Sequence, residues 1–179
     1  MRNIIVSEFV SLDGVMEDPA WTVPYWNDEI AKFKFNELFA MEALLLGRVT
    51  YQGFAEAWPS RTDPEGYANQ MNSMPKYVVS KSLDSLKWNN SSLIKGNGMS
   101  EIKDLKKMPG LDILIFGSST LVNDLVKHEL VDRFYLLVYP VVIGKGMRVF
   151  EEGSKAKLKL VDTKQFGSGV VLLNYESKP

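Results

Sequence analysis

Apolar and polar positions along this chain follow two rhythms. Asn3–Val10 (NIIVSEFV) is short and rich in β-branched residues, which predicts a strand. The stretch that follows, SLDGVMEDPAW, carries Asp-Gly and Asp-Pro and predicts turns. From Asn27 to Ala40 the spacing changes: Ile30, Phe33, Phe35 and Leu38 fall on overlapping faces of a helix. Asn27 or Asp28 caps its start, and acidic residues occupy the first turn, where the helix dipole favours them. Ala43–Leu46 predicts a short buried strand, and RVTYQGFAEAW, from Arg48 to Trp58, a helix. The polar run from Pro59 to Ser73, with two prolines and a glycine, predicts a loop with room for a helical turn.

The alternation continues. Lys76–Ser80 predicts a strand, Ser92–Gly96 a weaker one, and the segment from Met99 a helix stopped by Pro109-Gly110. Leu111–Gly117 predicts a strongly buried strand. The helix from Ser118 turns Leu121, Leu125 and Val126 inward, with Ser118 or Ser119 as cap. VDRFYLLVYPVVIG (131–144) and GVVLLNYES (169–177) predict long apolar strands, and AKLKLVDTKQF (156–166) alternates between them at period two. No internal repeat interrupts this order. Strand and helix alternate for two-thirds of the chain and the end is strand-rich, which predicts an α/β fold. Its open sheet is mostly parallel, with antiparallel strands at the C-terminal end.

Composition narrows the class. With 179 residues, 45% of them apolar and 24% charged, the chain suits one globular domain, 1–179. A net charge of −1 gives no reason to expect nucleic acid or an anionic membrane as partner. The absence of cysteine excludes disulfides, thiolate metal ligands and thiol catalysis, and fits a reducing compartment. The apolar run at the N-terminus is too short for a signal-peptide core, and no run reaches the length of a membrane span. The expectation is a soluble cytoplasmic protein. His128, the only histidine, falls late in a helix and cannot form a metal site alone.

Three strand ends carry the candidate chemistry. ALLLG runs into Arg48-Val49-Thr50, YVVS into Ser80-Lys81-Ser82, and ILIFG into Ser118-Ser119-Thr120. In open α/β sheets ligands bind beyond the carboxyl ends of strands, and helix N-termini suit phosphates. Arg48 as a fork and Lys81 as a point charge would add the cation a phosphate needs. Each end taken singly reads first as a helix cap. Together they suggest an elongated, multiply phosphorylated ligand such as a dinucleotide. Neither the dinucleotide fingerprint nor the P-loop is present, and Gly144-Lys145-Gly146 reads as a connection between strands.

The residues SLDG (11–14), LLLGRVTY (44–51), KYVVSKSL (76–83) and the block from Ile115 to Phe150 occur in an order that carries a resemblance. The chain resembles the dihydrofolate reductase-like superfamily, and more closely the C-terminal reductase domain of the riboflavin-biosynthesis deaminase/reductase. The resemblance implies a three-layer fold and an NADPH-dependent reductase acting on a small pterin- or pyrimidine-like heterocycle. It also implies roles by position. Gly47, Arg48 and Thr50 would meet the cofactor's phosphates. Ser80, Lys81 and Ser82 would lie near the adenosine 2′-phosphate. Gly117, Ser118, Ser119, Thr120 and Leu121 would hold the pyrophosphate; Asp13 and Gly14 would belong to the cofactor site, with the loop after them bordering the nicotinamide. A homodimer, as in similar reductase domains, would cover the apolar strands at the C-terminal end.

The sequence departs from that pattern in two places. Dihydrofolate reductases carry an acid on the helix before the Gly-Arg strand, and Ala31 falls nearest that position here; Ser119 and Thr120 replace a glycine and an arginine. The candidate acids are Glu8 and Asp28. Glu8 either points to solvent from an alternate strand face or is buried with a raised pKa, and Asp28 is either a cap or an acid. The aromatics Trp21, Tyr25, Trp26, Tyr51, Phe54 and Trp58 surround the expected cleft, with Trp26, Phe54 and Trp58 as candidate substrate walls and the core as the rival fate. A nucleotide-binding protein without turnover, acting as a sensor or partner-binding subunit, remains the alternative to an enzyme.

Overall fold

The structure is a computed structural model and describes residues 1–96 and 98–178. Its eight strands are β1 (Ile4–Ser11), β2 (Ala43–Gly47), β3 (Lys76–Ser80), β4 (Ser91–Lys95), β5 (Ile113–Ile115), β6 (Arg133–Tyr139), β7 (Leu158–Gln165) and β8 (Val171–Ser177). They form one sheet in the order β4-β3-β2-β5-β1-β6-β8-β7. The six strands from β4 to β6 are mutually parallel, and β8 runs antiparallel to both β6 and β7. The fold is α/β with a mostly parallel sheet and an antiparallel end, as the alternation of elements predicts.

Five α-helices cover the faces: α1 (Asp28–Phe39), α2 (Arg48–Ala57), α3 (Tyr67–Ser73), α4 (Met99–Lys107) and α5 (Ser119–Lys127). The strand pattern explains why two layers are needed. Leu45 packs with α4 and α5 through Ile102, Leu121 and Leu125, whereas its neighbours Leu44 and Leu46 pack with Leu38 of α1, Tyr51 of α2 and Met71 of α3. Successive side chains of a strand point to opposite faces, so an unbroken apolar run needs cover on both sides. Burying each such leucine stabilises the fold by about 1.5–3 kcal/mol. A third cluster, with Ile30, Tyr139 and Phe166, closes the end under β6 and β8. No helix among the described residues is long and apolar enough to cross a membrane.

Several elements differ from expectation. The apolar run 131–144 yields a strand only to Tyr139, because Pro140 offers no N–H to the ladder. Residues 141–149 leave the sheet and zip instead onto the loop after β1: Leu12 N–H donates to Val141 O at 2.8 Å, and Met16 N–H to Met147 O at 2.9 Å. Pro19–Trp21, the end of the stretch read as turns, opens a 3-10 helix that runs to Tyr25. The loop before β3 contains the whole of α3, whose start is fixed by Asp63 accepting from the N–H groups of Tyr67 and Ala68 at 2.9 and 2.6 Å. His128 lies exposed after α5 with Nδ1 2.7 Å from Asp124 O.

Candidate active site

The sheet order brings β3, β2, β5 and β1 side by side, all parallel, so their carboxyl ends open on one edge. The three strand ends picked out from sequence are therefore neighbours. Gly47 ends β2 and directly precedes α2, and its N–H donates to Gly117 O at 3.1 Å. A Cβ at Gly47 would collide with Ser118 Oγ and lie 2.9 Å from Ser118 N. Gly117 has φ +104°, and a Cβ there would lie 2.9 Å from Thr50 Oγ1 and 3.6 Å from Glu8 Oε1. Only glycine permits so close an approach of two backbones and a positive φ at once. No side chain caps α2, so its first-turn N–H groups keep free hydrogen-bonding capacity, whereas Ser118 Oγ caps α5 by accepting from Leu121 N–H at 3.4 Å.

The expected cofactor residues divide into three sets. Thr50, Ser118 and Ser119 line a large cleft. Arg48, Lys81, Ser82 and Thr120 are exposed along the same edge outside it, with Arg48 Nη1 donating to Gln52 Oε1 at 2.9 Å. The rest act through the fold. Ser80 is buried and its Oγ accepts from Ser82 and Leu83 N–H at 3.2 and 3.0 Å, which shapes the turn that presents Lys81. Leu121 packs its side chain into the core. Ser119, in the cleft wall, donates through Oγ to Arg148 O at 2.7 Å.

Asp13 and Gly14 lie outside the cleft lining, which the loop after them reaches through Met16, Glu17 and Asp18. The Asp13 carboxylate accepts from Ser11 Oγ at 2.6 Å and from the N–H groups of Ile143 and Gly144 at 3.1 and 2.7 Å. The Ser11 hydroxyl, then those two N–H groups, lower its pKa to about 2. Gly14 O accepts from Val149 N–H at 3.0 Å, completing a latch between the loop after β1 and residues 141–149. The Gly-Lys-Gly segment is thus a strand connection pinned by Asp13.

The cleft has a volume of about 1320 Å³, more than the ~300–1,000 Å³ usual for one small ligand. Trp26, Phe54 and Trp58 all line it, with Phe9 and Phe116. Phe54 meets Phe116 and Trp58 edge-on at centroid distances of 6.1 and 6.3 Å. Tyr51, which the sequence placed among the cleft aromatics, belongs to the core: it is 3% exposed, and its hydroxyl accepts from Lys87 and Trp88 N–H at 3.0 Å each. Trp21 and Tyr25 likewise pack edge-on against Tyr139.

Both candidate acids line the cleft, in opposite settings. Asp28 is exposed at the start of α1, where Asn27, not Asp28, is the cap, accepting from Ile30 N–H at 3.0 Å. Glu8 is buried, which excludes the outward-facing alternative, and its Oε1 has no hydrogen-bond partner among the described residues. Burial raises its pKa well above the ordinary carboxylate value, more than the Lys34 charge lowers it, and Glu37 adds to the rise.

Sequence reasoning missed Lys34 and Glu37. Both lie on α1 and are 5% exposed. Lys34 Nζ donates to Ser7 Oγ at 2.8 Å and to Glu37 Oε2, and it faces the rings of Phe116 and Phe9 at 4.3 and 5.3 Å. The signal was available: Ile30, Lys34, Glu37 and Leu38 recur at i, i+4, i+7 and i+8, so two charges interrupt the inward stripe of α1.

The fold and the carboxyl-edge cleft define an α/β protein of the dihydrofolate reductase-like class. Residues 2–172 match the RibD C-terminal domain family, and the chain belongs to that family. It is 32% identical over 179 residues to the uncharacterized protein YyaP of Bacillus subtilis (strain 168), covering 97% of this chain and 94% of that one. Among solved structures it is similar to a "Putative riboflavin biosynthesis protein" from Shewanella sp. PV-4, with a TM-score of 0.80, 21% identity and 99% of each chain covered. Dihydrofolate reductase from Enterococcus faecalis, solved in complex with NADP(H), superposes with a TM-score of 0.66 at 15% identity, covering 99% of this chain and 97% of that one.

Proposed function

We propose that this chain is an NADPH-dependent reductase that delivers a hydride to a small pyrimidine- or pterin-like heterocycle. One observation carries the reading: the row of strand ends β3–β2–β5 meets an aromatic cleft at Thr50, Ser118 and Ser119, and the cleft has room for a flat ring beside the end of a dinucleotide. The residues fit such a cofactor, because the close contact of Gly47 and Gly117 with Ser118 and Thr50 joins the ends of β2 and β5 where α2 begins with its first-turn N–H groups uncapped. Gly47, Arg48, Thr50 and the turn 117–121 hold its phosphates. Ser80 shapes the turn from which Lys81 and Ser82 reach the 2′-phosphate. When bound, NADPH supplies the hydride.

The remaining work falls to side chains of the cleft. Trp26, Phe54 and Trp58 hold the ring flat and exclude water. Glu8, buried in its acid form, delivers the proton to the atom next to the reduced carbon. Asp28 is the weaker donor, since nothing buries it. The exposed edge of β7, with Leu160 and Val161 49% and 44% exposed, pairs with a second copy in a homodimer. A reducing cytoplasm suits both the cofactor and a chain without cysteine.

Thermal-shift titrations test the cofactor. NADPH is expected to raise the melting temperature more than NADH, and no shift with either would sink the proposal. Lys81→Ala is expected to weaken NADPH about tenfold and NADH little, since one charge-assisted contact is lost. Oxidation of NADPH in the presence of a heterocycle panel, followed at its absorbance band, then separates turnover from binding alone.

A further inference from the structure

Three buried titratable groups meet at the inner end of the cleft. Glu8 comes from β1, and Lys34 and Glu37 come from α1, three residues apart. Lys34 is the one cation of the three, and its Nζ donates to Ser7 Oγ at 2.8 Å and to Glu37 Oε2. It makes no hydrogen bond to Glu8, whose buried Oε1 has no partner among the described residues. That oxygen lies beside the strand ends of the candidate cofactor site. A Cβ on Gly117 would stand 2.9 Å from Thr50 Oγ1, 3.4 Å from Met16 Cε and 3.6 Å from Glu8 Oε1. The charges that act on Glu8 are Lys34 and Glu37. The other surrounding elements bring uncharged side chains: Phe116 after β5, Thr50 of α2, Met16 of the loop after β1, and Leu136, which pairs with Glu8 across β6. From α3 comes Tyr67, a phenol kept neutral because burial, then the Glu37 charge, raises its pKa.

An ammonium in contact with a carboxyl favours its ionised form, and an ionised Glu8 has no proton to give. We propose that Glu37 is a positioning residue for the proton donor: together with Ser7 it takes the Lys34 ammonium, withholds that cation from Glu8, and so leaves Glu8 as a free acid at the strand ends. Glu37 holds the ammonium because a bond between two charged groups is the stronger kind. Lys34 and Glu37 then neutralise each other under α1, and Glu8 stays uncharged. Burial raises the Glu8 pKa more than the Lys34 charge lowers it, and Glu37 adds to the rise, in keeping with this division. Apolar residues of similar volume would serve stability as well as a buried ion pair does, so a task in the chemistry gives the pair a reason to be here. This inference rests on the reading of Glu8 as the donor in a reductase, and the task it gives Glu37 needs no contact with substrate.

Infrared spectroscopy of the cofactor-free protein across pH tests it, because a protonated carboxyl has its own C=O band and Glu8→Gln identifies the one that belongs to Glu8. The parent protein is expected to keep that band at neutral pH. Glu37→Gln releases Lys34 to pair with Glu8, and the band should then be lost about 1–3 pH units lower. Lys34→Met/Glu37→Gln removes the released cation as well, and should return the titration to the parent's range or above it. That recovery separates a lost counter-ion from damaged packing. Glu37→Asp keeps the charge on a shorter arm; it serves if Glu37→Gln does not fold, and should give a smaller shift in the same direction. A Glu8 titration unmoved in the Glu37 variants, or still low in the double variant, would overturn the inference. A parent protein without the band would overturn it together with the assignment of Glu8 as donor. Failure of the reductase reading shows separately, as NADPH left unbound in the thermal-shift titration.

Discussion

Glu8 shows how one residue's setting decides its chemistry. It stands between Ser7 and Phe9 in β1, and the period-two alternation of the strand leaves its direction open; only the packing of α1 over the sheet buries it beside Lys34 and Glu37. A carboxyl with a raised pKa is protonated in the fold at pH values where the unfolded chain has lost its proton. The native state then binds more protons than the unfolded one, so stability falls as pH rises from the ordinary carboxylate range, near 4.5, through the raised value. Glu8→Gln is expected to flatten that limb in denaturation measured across pH. If Glu8 is the proposed general acid, the same substitution should lower turnover about 10²–10³-fold and flatten a fall of kcat toward high pH. Unchanged turnover would move the proton donor elsewhere. Lys76, equally buried, is no such candidate. Its Nζ donates to the carbonyls of Asn72, Met74 and Asn89 at 2.9, 2.8 and 3.0 Å, so its donors are spent holding the C-terminal end of α3.

Among the elements, the segment after β6 is held by a hydrogen-bonded latch where the sequence suggested a strand. The Asp13 carboxylate is the fastener, and its depressed pKa has the opposite sign to that of Glu8: the contribution is present above pH 3.8 and is lost as pH falls toward about 2. Asp13→Ala is expected to speed amide exchange at Ile143 and Gly144 several-fold at neutral pH, with the strands of the central sheet unaffected. Exchange unchanged at those two amides would show that the flanking backbone bonds suffice. Helix boundaries and β2, β3 and β8 were legible from periodicity and caps. Residues 140–144 were not, because an apolar run of this length reads alike whether it adds to a sheet or folds back on a loop. Pro140 was the available stop signal. The residues of α3 lacked a strong apolar stripe, and what starts that helix is the Asp63 carboxylate four and five residues before the N–H groups it receives.

For the whole molecule, the antiparallel end leaves β7 with one unpaired edge and exposed apolar side chains. Sedimentation at micromolar concentration is expected to report a dimer, and a charge placed at Val161 (Val161→Lys) should shift it toward monomer. A monomer in the parent protein would dispose of this edge as an interface. The sequence by itself determined the α/β alternation, the two-sided burial of the central strands, and three strand ends rich in small, hydroxyl and cationic residues, because periodicity and capping are local and survive without coordinates. The tertiary structure alone decided that β3, β2 and β5 are neighbours, that Tyr51 is core while Phe54 and Trp58 are cleft, and that Glu8, Lys34 and Glu37 meet. Those facts depend on strand order and on the packing of α1 against β1. These bring together side chains up to 29 positions apart, Glu8 and Glu37, and burial then raises the pKa of Glu8.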